Sequence, residues 1–181
     1  MIETARLRLI PLTSTQVRLH VAGGTRLEEA LTVRPGHRTV DEPLRSILTA
    51  FTIPFLDDPR RQLLFDTIWI ALDRELNQFV ADAKFKGAPD EEQTVEIGYG
   101  TYPAFRQQGY MTELVGGLLA WAFQQPGLWR VTAETALGNT ASEGVLLRNG
   151  FRLFEQNEHV CWWERTKKQA PGASLAAQVR T

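Results

Sequence analysis

The sequence predicts a mixed α/β (α+β) domain in which helices flank a mostly antiparallel sheet. Three strand-like runs, separated by turn residues, follow one another at 68–73, 77–85 and 94–102. A strand, an amphipathic helix and a second strand then succeed each other over 94–137, and two strands joined by such a crossover lie parallel. Antiparallel neighbours and one parallel pair therefore share the predicted sheet.

The N-terminal part begins with a strand and a helix. Residues 6–10 alternate charged and apolar side chains, which is the period of a half-buried strand. A helix is predicted over 14–31, because Thr25 followed by Glu28 forms a possible capping box ahead of an apolar face.

Prolines mark both ends of the next helical segment. The acids and proline of Asp41-Glu42-Pro43 are typical of a helix start, and apolar residues recur at helical spacing from Leu44 until Pro54 ends the pattern. A third helical piece is predicted over about 59–65.

The pattern after residue 102 predicts two helices, one strand and a closing hairpin. An apolar stripe predicts a helix over 111–124 that stops before Pro126-Gly127. Asn139 is placed to cap a second helix over 140–149, and Gly150 to end it. The remaining strands are predicted at 130–137, 151–157 and 159–166.

The length and composition fit one folded unit. A chain of 181 residues with 43% hydrophobic content can bury a core large enough to fold without disulfides or a structural metal. The last fifteen residues are small, polar and weakly patterned. We therefore predict a single domain over 1–166 and a loose tail over 167–181.

Charge and composition argue against several classes of function. The chain has 20 lysines and arginines against 21 aspartates and glutamates, so it carries no overall basic field that would attract nucleic acid. Nor does the sequence have a basic patch interleaved with aromatic residues. The single cysteine and three histidines lack metal-ligand spacing, so no metal site is expected. No apolar run reaches the length of a membrane span. We expect a cytoplasmic protein without membrane or nucleic-acid partners.

One turn has the composition of an anion site. The strand at 94–102 leads through Arg106-Gln107-Gln108-Gly109-Tyr110-Met111 directly into a helix. Ligands bind beyond the carboxyl ends of strands in open sheets, and the free N–H groups of a helix's first turn, here about Gln107 to Thr112, attract phosphate. Gly109 lets backbone approach a ligand closely, and Arg106 can add a charged hydrogen bond. From spacing alone, a phosphate cradle and a plain strand-to-helix turn both remain open.

Two separated motifs carry a family resemblance. The stretch VEIGYGTYPAFRQQGYMTELVGGLLAWAF, followed by RVTAETALGNTASEGVLLRNGF, resembles the core of the GNAT superfamily of N-acetyltransferases, in its RimJ/RimL-like branch. The opening ETARLRLIPLT resembles the first strand of that branch, and the likeness covers about residues 2–12 and 68–165. Met111 stands where the family's turn usually has glycine or alanine, a mild departure because this position acts mainly through its backbone.

The resemblance implies acetyl-coenzyme A as cofactor. In the family, the turn binds the coenzyme A diphosphate through backbone amides, and the strand before it splays from its parallel neighbour so that pantetheine pairs with it. Gly98 and Gly100 suit such a splay. Carried over to this sequence, the implied cofactor contacts are Tyr99, Gly100, Thr101, Tyr102, Arg106, Gln107, Gln108, Gly109, Tyr110, Met111, Thr112, Asn139 and Ser142.

The resemblance also implies catalytic roles, and each has a structural alternative. Glu96 corresponds to the family's base for the amine proton, but an exposed strand acid has the same pattern. Ser142 corresponds to an acid for the departing thiolate, although a serine in the first turn of a helix also bonds local backbone. Asn139 can cap its helix and contact the cofactor arm together.

Two functions follow from the resemblance. The first is acetyl transfer to a primary amine, either a protein N-terminus or a small molecule. The second is a catalytically inactive sensor or scaffold that binds coenzyme A with the same fold. The unmatched region, 13–67, is where the family places its acceptor-binding helices, so the sequence leaves the acceptor unidentified. A monomer and a homodimer are both compatible with the sequence.

Overall fold

Eight strands form one continuous sheet in the computed structural model, which describes residues 1–58 and 63–167. The order across the sheet is β1-β2-β3-β4-β5-β6-β8-β7. The strands are β1 (Ile2–Glu3), β2 (Leu7–Pro11), β3 (Ile68–Asp73), β4 (Gln78–Phe85), β5 (Thr94–Thr101), β6 (Arg130–Ala136), β7 (Arg152–Gln156) and β8 (Val160–Thr166). Only β5 and β6 pair in parallel within the described part, which confirms the predicted mixed, mostly antiparallel sheet.

The helices of the described part cover both faces of this sheet. They are α1 (Ser14–Ala22), α2 (Arg26–Ala30), α3 (Leu44–Ile47), α4 (Ile53–Leu56), α5 (Leu63–Asp66), α6 (Tyr110–Ala122) and α7 (Thr140–Arg148). Helix α6 lies on the face of Leu9, where a Cβ added at Gly117 would come within 3.0 Å of the Leu9 side chain. Alternation along a strand sends Asp82 and Lys84 of β4 to the opposite face, under α3 and α4.

Strands β5 and β6 diverge after a short stretch of parallel pairing. Their register runs only from Thr94 with Arg130 to Glu96 with Thr132. On its other side β5 stays paired with β4 as far as Thr101. The edge of β5 that faces β6 is therefore open beyond Glu96, as expected for a splayed parallel pair.

Helix α6 follows the predicted apolar stripe closely. The prediction placed this helix at 111–124, so the observed helix begins one residue earlier than predicted and ends two residues earlier. The stripe is buried in full, namely Met111, Leu114, Val115, Leu118 and Ala122. This burial fixes the helix against the sheet and thereby fixes the position of the turn that precedes it.

The predicted helix over 14–31 is wrong in its continuity and its cap. Gly23 and Gly24, with φ of 75° and 66°, break it into α1 and α2. The capping box lies at Thr13, whose side chain accepts from the Gln16 backbone. The Thr25 hydroxyl instead donates to Glu29 Oε1 at 2.7 Å.

The helical segment that begins near Pro43 does not stop at Pro54. It continues through a π-helical turn, Leu48–Thr52, into α4. Pro54 lies in the first turn of α4, directly after this π-helical turn. Helix α5 matches the end of the piece predicted over 59–65, and residues 59–62 lie outside the described residues.

The C-terminal elements match their predictions to within a residue or two. Helix α7 ends before Gly150, which has a φ of 75°, and β7 and β8 form the antiparallel hairpin. Of the tail predicted over 167–181, all but Lys167 lies outside the described residues.

Candidate active site

The turn before α6 has the backbone of an anion site. Gly109, with a φ of 80°, is the residue before the first helical turn, and Gln107 also has a positive φ of 61°. The turn residues 106–109 are exposed, so a ligand has access to them. Because the first N–H groups of a helix lack intrahelical acceptors, those of α6 are directed at this access, at the positive end of the helix dipole.

A salt bridge from the start of the chain holds this turn in place. Arg6 Nε donates to Glu113 Oε2 at 2.8 Å, and an Arg6 terminal nitrogen donates to the Gln108 carbonyl at 3.1 Å. The Arg6 guanidinium also stacks 4.6 Å from the centre of the Tyr110 ring. One arginine thus binds the turn, the first helical residue and the first-turn acid together.

Glu113 is the centre of a compact hydrogen-bond cluster. Its Oε1 accepts from Thr4 Oγ1 and from the Arg6 backbone N–H, each at 2.6 Å. Burial by itself raises the pKa of Glu113, but the bonds from Thr4 and Arg6 outweigh it and hold that pKa below its ordinary value. The carboxylate is therefore ionised and its charge is balanced by Arg6, so it does not oppose an anion at the turn.

A cleft of about 1110 Å³ opens between this turn, the end of β5 and α7. We name it the α6–α7 cleft. Eleven of the residues predicted to contact a cofactor line it, namely Tyr99, Gly100, Thr101, Arg106, Gln107, Gly109, Tyr110, Met111, Thr112, Asn139 and Ser142. Gln108 and Tyr102 do not line it: Gln108 Nε2 donates to the Ala104 carbonyl, and the Tyr102 side chain is buried on the opposite face of the sheet.

The start of α7 forms the far wall of the α6–α7 cleft. Asn139 Oδ1 accepts from the Ser142 backbone N–H at 3.2 Å, so Asn139 caps the helix. Tyr99 Oη donates to the Ser142 carbonyl at 3.3 Å, and burial raises the pKa of Tyr99 to about 12, which keeps this hydroxyl protonated. Tyr99 thereby links β5 to α7 across the gap where β5 leaves β6.

A second cavity, of about 570 Å³, lies on the other face of β4 and β5. We name it the β4–β5 cavity. It shares Tyr99, Gly100, Thr101 and Arg106 with the α6–α7 cleft. A Cβ placed on Gly98 would meet nothing within 4 Å, so the cavity reaches the backbone of β5 at that point. A single strand therefore separates the two spaces.

Glu96 lies beside the β4–β5 cavity but does not line either space. Its carboxylate pairs with Lys86 Nζ at 2.5 Å, and its side chain is 30% exposed. Lys86 itself lines the cavity. The structure thus brings Glu96 to the edge of the cavity through its ion-pair partner.

The floor of the β4–β5 cavity holds two ionisable groups that the sequence did not single out. Burial raises the pKa of Asp82 to about 7 and lowers that of Lys84 to about 8. Lys84 Nζ donates to the Asp66 carbonyl at 2.5 Å. The signal that could have found them is the end of the strand predicted at 77–85, ADAKF, where two charged residues alternate with apolar ones.

The described residues offer neither a metal-binding cluster nor a membrane-spanning helix. No group of three or more histidine, cysteine or acidic residues is arranged to hold a metal ion there. Among the helices of the described ranges, none combines the length and apolar character needed to cross a membrane.

The chain is similar to known acetyltransferases in sequence and in fold. The family model for the acetyltransferase (GNAT) domain matches residues 6–152. The uncharacterized N-acetyltransferase YjdG of Bacillus subtilis (strain 168) is 31% identical over 99 residues, which cover 55% of this chain and 58% of that protein. The chain thus spans about half the length of the curated relatives it matches.

Solved structures share the whole architecture at low sequence identity. RimL, a ribosomal L7/L12 α-N-protein acetyltransferase in complex with coenzyme A, superposes with a TM-score of 0.63 at 18% identity and covers 90% of this chain and 95% of its own. A ribosomal-protein-S5-alanine acetyltransferase from Vibrio fischeri has a TM-score of 0.64 at 13% identity and covers 91% and 94%. The family match spans most of the chain and agrees with the fold, the splayed strands and the turn. The chain therefore belongs to the acetyltransferase (GNAT) domain family.

Proposed function

We propose that this protein is an acetyl-CoA-dependent N-acetyltransferase that acetylates a primary amine. The observation that carries the proposal is the pair of spaces on opposite faces of β5, which share a wall at Gly100, beyond the point where the strand leaves β6. A donor in the α6–α7 cleft and an acceptor in the β4–β5 cavity would meet across that single strand.

The α6–α7 cleft fits coenzyme A by its backbone geometry and its charges. The first-turn N–H groups of α6, with Gly109 and Arg106, would hold the diphosphate. The open edge of β5 from Tyr99 to Thr101 would pair with the pantetheine amides as an added strand does. Asn139 and Ser142 would border the same arm. For Tyr102 and Gln108, whose side chains point elsewhere, we propose backbone contacts alone.

Acetyl-CoA would supply an acetyl group activated as a thioester, which requires a neutral amine as its partner. Glu96 is the proposed acceptor of the amine proton, through water, because it is the acid of β5 on the face of the β4–β5 cavity. Ser142 is the proposed proton donor to the thiolate. A thiol with an ordinary pKa of about 8.5 also leaves without protonation, so this second role affects the rate less.

A screen of amines tests turnover directly. The protein is incubated with acetyl-CoA and individual amines, including small primary amines and peptides with free N-termini, and release of free thiol is followed. Amine-dependent thiol release supports the enzyme. Tight binding of acetyl-CoA with no release for any amine would instead support a sensor or scaffold that has kept only the cofactor site.

A further inference from the structure

Asp82 is a buried carboxyl at the base of the β4–β5 cavity. It pairs with Gly100 across the β4–β5 ladder, and its residue is only 5% exposed. Its Oδ1 lies 3.9 Å from the position that a Gly100 Cβ would occupy, at the wall shared with the α6–α7 cleft. One oxygen of the carboxyl therefore faces the place where donor and acceptor would meet.

The nearby arginine does not serve as a counterion for Asp82. Arg38 has five N–H groups, and all five have other acceptors. They bond Glu28 at 2.9 and 3.1 Å, His20 Nδ1 at 3.1 Å, the His20 carbonyl at 2.9 Å and the Gly24 carbonyl at 2.9 Å. Its charge is balanced by the buried Glu28 carboxylate.

His20 faces Asp82 as a neutral ring. Burial, together with Arg38 and Arg45, lowers the pKa of His20 to about 3. Because Arg38 can only donate, His20 Nδ1 must accept, and the single proton of the ring is on Nε2. That Nε2 lies 4.0 Å from Asp82 Oδ2. In the described part of the chain, no charged partner of Asp82 lies within salt-bridge distance.

Two buried donors lie beside the Asp82 carboxyl. Neither His20 Nε2 nor the Tyr102 hydroxyl makes a hydrogen bond of normal geometry to any described residue. Both lie close to the Asp82 carboxyl. The carboxyl of Asp82 thus has neutral donors beside it but no positive charge, whereas buried charges in proteins are normally paired.

The remaining cations of the cavity floor are already engaged. Lys84 lies next to Asp66 and donates to its carbonyl, and Lys86 pairs with Glu96. At the mouth, Asp41 and Glu42 add further acids. Arg106 also lines the cavity, and its Nε donates to the Thr101 carbonyl at 3.4 Å. Because these cations are engaged and Asp82 has no cationic partner, the cavity favours a cationic ligand over an anionic one.

The wall opposite this floor is apolar and belongs to the helices that the resemblance left unmatched. Leu44, Ile47, Phe51 and Phe55 line it, with Ile47 and Phe51 38% and 57% exposed. The volume of about 570 Å³ lies within the usual range for small-molecule sites. An occupant should therefore carry a positive head and an apolar body.

We propose that Asp82 binds the ammonium group of the acceptor, and that the acceptor is a small primary amine whose apolar body packs against Leu44, Ile47 and Phe51. The proposal rests on the proposed acetyltransferase function. An ammonium ion would supply the missing counterion, and His20 and Tyr102 would orient the carboxylate toward it. Glu96 would keep its role as proton acceptor, so Asp82 is a substrate-binding residue.

The pH dependence of binding follows from the same groups. Burial raises the pKa of Asp82 to about 7, with smaller opposing effects of Tyr102 and Arg38. Only the carboxylate attracts an ammonium ion, so affinity for the amine should rise as the pH increases from about 6 to 8. His20 stays neutral over this range, because its pKa of about 3 lies far below it.

The test compares phenethylamine, 2-phenylethanol, spermidine and a short peptide with a free N-terminus. Binding is measured by calorimetry without cofactor, and KM and kcat with acetyl-CoA. Phenethylamine should bind wild-type protein, more tightly at pH 8 than at pH 6, and 2-phenylethanol should bind at least about tenfold more weakly. Asp82→Asn should raise KM for phenethylamine about tenfold or more, with kcat much less affected and stabilisation by acetyl-CoA unchanged.

The control variant is Glu91→Gln, which removes one negative charge from the exposed loop between β4 and β5. It should leave the KM for phenethylamine unchanged. Equal KM in Asp82→Asn and wild type, or binding that does not change between pH 6 and 8, would overturn the role of Asp82. If the protein preferred spermidine or the peptide to phenethylamine, the proposal that the acceptor is a small amine with an apolar body would be overturned.

The calorimetry also separates this inference from the proposed function. If acetyl-CoA stabilises the protein but Asp82→Asn binds phenethylamine normally, the inference fails and the acetyltransferase proposal stands. If acetyl-CoA has no effect while phenethylamine binds through Asp82, the amine site stands and the acetyltransferase proposal fails. The pH series on wild-type protein gives an answer even if Asp82→Asn does not fold.

Discussion

Arg6 and Glu113 lie 107 positions apart in the sequence, and their side chains form a 2.8 Å salt bridge that fixes the turn before α6. The pair joins the loop between β1 and β2 to the first turn of the helix. Because Arg6 also donates to the Gln108 carbonyl, the geometry of the proposed diphosphate site depends on a contact with a distant part of the chain.

Removal of Glu113 should loosen the turn and weaken cofactor binding. Glu113→Ala leaves Thr4 and Arg6 without their acceptor, so we expect a loss of about 1–3 kcal/mol in the free energy of unfolding. Affinity for acetyl-CoA should fall several-fold. Urea denaturation and ligand titration measure the two effects. The control is Glu134→Ala, at an exposed position of β6, which should change neither the free energy of unfolding nor the affinity for acetyl-CoA. If Glu113→Ala behaved like this control, Glu113 would not hold the turn in place.

Gly109 should be essential for cofactor binding but not for folding. In Gly109→Val the side chain meets Arg6, 3.5 Å from the added Cβ, and obstructs close approach of a diphosphate. Gly127→Val is the matched control, because Gly127 also has a positive φ, of 73°, and open space around it. Both variants should lose about 1–2 kcal/mol of stability from backbone strain. Only Gly109→Val should lose acetyl-CoA binding, and unchanged affinity there would contradict the cradle.

Glu96 should contribute to the rate and not to cofactor affinity. Glu96→Gln removes the proposed base, so kcat should fall about 10²-fold or more and its pH dependence should flatten. Steady-state kinetics over a pH series measures both, with Glu91→Gln as the control. Full activity in Glu96→Gln would remove Glu96 from the mechanism.

Asp82 should destabilise the empty protein at alkaline pH. In the folded protein the pKa of Asp82 is about 7, raised above the ordinary value of 3.8. Its stabilising contribution to the free energy of unfolding is therefore complete below about pH 4 and is lost as pH rises through 7. Asp82→Asn should therefore match wild type in stability near pH 4 and exceed it at pH 8, by an amount on the order of a few kcal/mol.

Thermal unfolding at several pH values measures this difference. His20 also makes stability depend on pH, because its lowered pKa gives a stabilising contribution that is lost as pH falls from 6.5 to about 3. This contribution is present in both proteins and largely cancels in the comparison. A difference in melting temperature that does not vary with pH would contradict a raised pKa at Asp82.

The strands and the helix next to the site were predictable because their patterns are local. Strand β3 coincides with the predicted run 68–73, and α6 lies within two residues of its predicted ends. The turn at Gly109 follows from the same local logic, since a glycine before an apolar helix start is visible in the sequence.

The remaining features depend on contacts between distant residues. Arg6 could not be linked to Glu113 from the sequence, and neither could Arg38 to His20 and Glu28, because no spacing rule connects them. These two networks are set by tertiary packing. The break at Gly23-Gly24 and the cap at Thr13 are different, because both are local signals that the predicted single helix overlooked.

The most direct test of the central claim is a thermal-shift titration with acetyl-CoA, with desulfo-CoA and ATP as comparisons. A ligand that binds only the folded state stabilises it by mass action and so raises the melting temperature. At a free ligand concentration of a hundred times Kd, the gain in the free energy of unfolding is about 2.7 kcal/mol. We expect stabilisation by acetyl-CoA and desulfo-CoA and much less by ATP. No shift with either coenzyme A compound at millimolar concentration would contradict this expectation, and the turn from Arg106 to Met111 would then be structural.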